Sequence, residues 1–198
     1  MEPQPIQIPP SKYLLASVSA GAYTVFAYLL GLAFAGICVG ALRITQLPLM
    51  IAFTWACPFL VGLLVFHSPI LYWRLPTGYL QNLRRIAVIE LISVNIVLGI
   101  AAPLFDLLRN RYIGIFVDAA DATLWLCVAI STLAGLAAVA SFYYWLCRNK
   151  LTPLVPCLYC PRSAQDNSDL TLPPAIWLPL TLSILLFIAG TAVTVYIQ

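Results

Sequence analysis

Between Tyr13 and Leu42 the chain reads YLLASVSAGAYTVFAYLLGLAFAGICVGAL, thirty residues without one charged side chain. About 18 consecutive apolar residues are enough to cross a bilayer as a helix. Thirty exceed what the hydrocarbon core requires, so this helix is expected to tilt or protrude. The rest of the chain obeys the same constraint. Of its 198 residues 62% are hydrophobic and only 9% are charged, with a mean hydropathy of +0.95. A soluble domain carries about 25% charged residues, so the main solvent of this chain is lipid. The expected fold is an all-α membrane protein, a polytopic bundle of five transmembrane helices.

The spans are expected near 13–42, 47–66, 86–105, 122–147 and 173–196. Residues 1–12 form a proline-rich tail, which lacks the basic start of a cleavable signal peptide; the first span is expected to stay as a signal anchor. Arg43 to Gln46 is so short a link that spans one and two must form an antiparallel hairpin. Pro58 is expected to kink the second span, because proline removes a backbone donor and crowds the preceding turn. The third span is the weakest. It is just long enough, contains Glu90, Asn95 and Pro103, and is followed by an expected loop from Asp106 to Asp121. If it failed to cross, four spans would remain and both termini would share a side. Asp118 or Asp121 is placed to cap the fourth helix, and Pro173 and Pro174 suit the first turn of the fifth. The 148–172 connection, rich in proline, holds Cys157 and Cys160. No internal repeat is visible.

With five spans, Lys12, Arg74, Arg84, Arg85, Arg148, Lys150 and Arg162 fall on one side and Arg43, Arg109 and Arg111 on the other. Cytoplasmic loops accumulate Lys and Arg, which predicts a cytoplasmic N-terminus and a C-terminus outside or in a lumen. The basic residues are scattered between spans, and their net charge of +3 does not suggest a nucleic-acid partner.

Three sets of residues stand out. Small residues form strips at Gly31, Ala35, Gly36 and Gly40, at Ser131, Gly135 and Ala138, and at Gly190. Such strips let helix backbones approach closely, either within the bundle or against a partner. Glu90 is the only ionisable residue inside an expected span. Ionisable residues there are costly and face a partner or a polar path; Glu90 either meets Arg85 near the interface or joins Asn95 in such a path. Finally, Cys157-Leu158-Tyr159-Cys160 is a CxxC, compatible with a redox pair or, with Cys147 and His67, a zinc site. Juxtamembrane Cys147, Cys157 and Cys160 also suit S-palmitoylation.

A Ser-His-Asp set, HExxH and a phosphate-binding glycine loop are all missing from the sequence, and it has a single histidine. Most catalytic recipes cannot be assembled from it. No catalytic residues, cofactor or metal are therefore expected. The expected role is non-enzymatic: assembling with, or escorting, other membrane proteins or further copies of itself through the small-residue faces, with 148–172 as the cytosolic contact surface. The alternative is a channel or transporter subunit with a polar path at Glu90 and Asn95. A thiol-dependent activity at Cys157 and Cys160 is a third.

Overall fold

A computed structural model describes residues 10–67, 79–113, 121–149 and 174–197. Five long helices account for nearly all of them: α1 (Pro10–Ala41), α2 (Leu47–Leu60), α3 (Tyr79–Tyr112), α4 (Ala122–Arg148) and α5 (Trp177–Ile197). A π-helical turn, Val61–His67, continues α2, and a 3-10 turn, Pro174–Ile176, leads into α5. With those extensions, all five are long and apolar enough to cross a membrane.

Local chemistry sets several of the boundaries. α1 begins at Pro10, so Pro10, Ser11 and Lys12 belong to its first turn and not to the tail expected there; proline is well suited to such a start. α1 ends in a reversal at Arg43, whose φ of 50° is left-handed. The Ile44 amide donates to the Val39 carbonyl and the Arg43 amide to that of Gly40, the paired bonds of a Schellman cap. Asp121 caps α4, its carboxylate accepting from the Thr123 amide at 2.8 Å, as expected. Asp118 lies outside the described residues. Pro58 sits at the last turn of α2, and the widened π turn starts three residues later.

The third span corrects the sequence reading most. α3 has 34 residues, about 51 Å at the usual helical rise. It absorbs Arg84 and Arg85 at one end and Asp106 to Tyr112 at the other, where a connection and a loop were expected. It is also the most enclosed span and packs against all four other helices. Its inward residues Ile89, Ile92, Val97 and Leu98 meet Val139, Phe142 and Leu146 of α4 in the main core.

The neighbours alternate in direction. Gly62 and Trp55 of the second span meet Glu90 and Asn95 of α3, so those two run antiparallel. Ser93 meets Tyr143 while Ala101 meets Gly135, so α3 and α4 are antiparallel too. Asn95 with Ser183 and Asn110 with Ile197 make α3 and α5 parallel. Ile44, Tyr112, Asp121 and Ile197 thus gather at one end of the bundle, and Asn149 and Trp177 lie at the other.

Candidate functional site: buried polar groups along the central helix

Once α3 is central, its polar residues have to be satisfied by other helices, because lipid offers no hydrogen bonds. Among the described side chains four are buried: Glu90, Ser93, Asn95 and Asp106. Each meets a different set of partners.

Glu90 is 1% exposed and pairs with His67, whose Nδ1 lies 2.8 Å from Oε2. His67 is itself 2% exposed. The same Nδ1 is 3.0 Å from the Gly62 carbonyl oxygen, and this contact, not the one to Glu90 Oε2, meets hydrogen-bond geometry. The π turn makes this meeting possible. It carries Gly62 and His67 on its inner side, and a Cβ on Gly62 would fall on the Glu90 carboxylate. Only glycine lets the acid approach there. α1 closes the site: the Tyr23 hydroxyl donates to the Phe66 carbonyl at 3.1 Å, and its ring packs edge-on against Phe66 and His67. Glu90 therefore lies neither in headgroup water nor at an open surface.

One turn further along α3, Ser93 donates to the Tyr143 hydroxyl at 3.1 Å, which also bonds Thr24 at 2.8 Å. Tyr143 is fully buried and joins α1, α3 and α4. Asn95 belongs to another sector. The Trp55 indole N–H donates to its Oδ1 at 2.9 Å, and its amide nitrogen reaches Ser183 Oγ at 3.5 Å, linking α2, α3 and α5. Five residues of helix rotate by about 140°, so Glu90 and Asn95 face different neighbours. They are not brought together. Asp106, at the far end, pairs with Arg109 at 3.6 Å.

The small-residue strips separate just as sharply. Ser131 is buried and bonds back to the Cys127 carbonyl at 2.7 Å. A Cβ on Gly135 would make only ordinary contact with Val97 and Ala101, whereas one on Gly190 would stand 2.6 Å from the Gly99 carbonyl oxygen. Ala138 is half-buried beside Ile96, Trp145 and Leu182. Gly31 packs on the Pro58 backbone and Ala35 is buried. These residues serve the chain's own packing. Gly36 and Gly40 differ: nothing lies within 4 Å of a Cβ placed on either.

Cys147 is 1% exposed, held under α1 with the Ser17 hydroxyl 3.9 Å from its sulfur. A thiol enclosed in this way is not presented for acylation. Cys157 and Cys160 lie outside the described residues. Among the described residues no three His, Cys, Asp or Glu side chains group to hold a metal ion.

Sequence reasoning missed His67 as the partner of Glu90, although a signal existed. The sole histidine ends span two, the sole intramembrane acid lies near the start of span three, and consecutive antiparallel spans put both at one level.

Fold and buried groups together define a multi-pass α-helical membrane protein in which Glu90, Ser93 and Asn95 join the central helix to its neighbours. No protein-family profile matches the sequence, and no curated protein or solved structure matches it either.

Proposed function

We propose that this protein is a non-enzymatic assembly partner, associating with other membrane proteins or with further copies of itself through the end of α1. The observation that carries the reading is the contrast among the glycines. Gly31, Gly62, Gly99 and Gly190 stand where a side chain would strike the chain's own atoms, whereas Gly36 and Gly40 stand where nothing touches them. They are four residues apart, on one face of a helix, and beside exposed Ile37. A helix face of this kind lets a second backbone come close, and dispersion then replaces contacts with mobile lipid.

The alternative of a polar conduction path needs Glu90 and Asn95 to face one passage. Their engagement by His67 on one side and by Trp55 and Ser183 on another favours the assembly reading.

Gly36→Leu/Gly40→Leu is the test. The double variant should accumulate at wild-type levels and unfold at the same denaturant concentration, since neither glycine supports the fold. Short-range crosslinking in native membranes should lose the higher-mass species that the wild type gives. Identical crosslinking in both, or a wild type that yields only monomer, refutes the proposal.

A further inference from the structure

α2 and α5 stand on either side of α3, and between them a cleft of about 240 Å³ runs down from the end of the bundle that holds Ile44 and Ile197. Its walls are apolar, with Met50 and Ile51 from α2, Leu98 from the floor and Phe187 from α5. Its character changes at one end. Asp106 lines it, and so do Thr191 and Thr194. Asp106 is buried. The Thr194 hydroxyl is buried beside the Asp106 carboxyl. Just beyond, Arg109 meets Asp106 at 3.6 Å and remains partly exposed.

We infer that this cleft is a lipid site selective for a phospholipid with a primary-amine headgroup, such as phosphatidylethanolamine. Three features carry the assignment. The volume equals about eight water-sized portions of liquid, room for part of one alkyl chain and far too little for a helix. The apolar section leads toward Asp106, on the side of the cleft nearest the bundle end that holds Ile44, Tyr112 and Ile197. The polar end offers the Asp106 carboxylate, an acceptor, with the Arg109 guanidinium next to it.

A primary ammonium has N–H donors for Asp106, and the adjoining phosphate is complementary to Arg109. A choline headgroup carries the same charge but no N–H, so it cannot make a charge-assisted hydrogen bond to the Asp106 carboxylate. An anionic headgroup without an amine brings no cation to Asp106. The site is independent of Gly36 and Gly40, so its failure leaves the assembly reading untouched.

The full-length protein is reconstituted in nanodiscs containing equal phosphatidylethanolamine and phosphatidylcholine with matched acyl chains. Lipids retained after mild detergent extraction are then counted by native mass spectrometry. The wild type should retain phosphatidylethanolamine in preference to phosphatidylcholine. Asp106→Asn should lower that preference about tenfold, the worth of one charged hydrogen bond. Ala102→Leu, which fills the cleft floor and leaves Asp106 intact, should lower the retention of both lipids and keeps the proposal testable if Asp106→Asn does not fold. Equal retention of the two lipids by the wild type overturns the inference. So does an unchanged preference in Asp106→Asn.

Discussion

At the scale of single residues, the His67 and Glu90 pair dominates the interior. Two ionisable groups enclosed at 2% and 1% exposure have given up their hydration, and each depends on the other for compensation. Removing one partner strands the other, a loss of about 3–5 kcal/mol in buried pairs, whereas replacing both by apolar residues is often neutral or favourable. His67→Leu and Glu90→Leu should therefore each destabilise the bundle by about that amount, and the double variant should be more stable than either single one. Unfolding in mixed detergent micelles measures all three. Equal and additive losses would mean that the two groups do not depend on each other. The sequence made Glu90 conspicuous, since an acid inside an apolar run is rare and expensive. It did not reveal the partner, because Arg85 is nearer in sequence and the π turn that swings His67 inward has no clear signature beyond Pro58 and Gly62. Asn95 was equally visible. Its separation from Glu90 is plain helix arithmetic, and it became meaningful only when Trp55 and Ser183 took up the intervening space.

At the scale of elements, α5 is held almost entirely by α3. Of its most apolar window only 11% is buried, so its attachment depends on a short stretch where backbones touch. Gly99 and Gly190 form that stretch, and Asn110 bonding the Ile197 carbonyl at 3.2 Å secures the end. A leucine at Gly190 would press into the Gly99 backbone, which cannot retreat by a rotamer change; overpacking of this kind costs about 1–3 kcal/mol. Gly190→Leu should accordingly release α5 while leaving the other four helices packed. In a background carrying Asn110→Cys and Ile197→Cys, a short bifunctional thiol reagent should link the two positions, and Gly190→Leu should abolish the link. Apolar length made the positions of α1, α2, α4 and α5 legible to within a few residues. The extent of α3 was not legible, because Arg85 and Asp106 read as boundaries when apolar residues are counted. A helix is nevertheless stable through such residues when its backbone bonds continue and Asp106 finds Arg109 one turn on.

At the scale of the whole molecule, the contacts along α3 fix relative direction. A helix that meets antiparallel partners on two sides and a parallel one on a third belongs to a chain that reverses at every connection. Five reversing helices put Pro10 and Ile197 at opposite ends of the bundle. The distribution of Lys and Arg is expected to add a sense to that axis: among the described residues Lys12, Arg84, Arg85 and Arg148 lie toward the end with Asn149, and Arg43, Arg109 and Arg111 toward the end with Ile44, and the richer side is expected to be cytoplasmic. Both parts can be read in one experiment. In a background with all six cysteines replaced by serine, single cysteines are introduced as Ile44→Cys, Tyr112→Cys and Asn149→Cys. A membrane-impermeant maleimide added to intact cells should label positions 44 and 112 and leave 149 unlabelled until the membrane is permeabilised. The reverse pattern would keep the alternation and invert the orientation, showing that other signals outweigh the loop charges. Labelling of 44 and 149 from the same side would contradict the threading itself. The pairing of Glu90 with His67, and of Asn95 with Trp55, requires α2 and α3 to lie side by side and antiparallel through the bilayer.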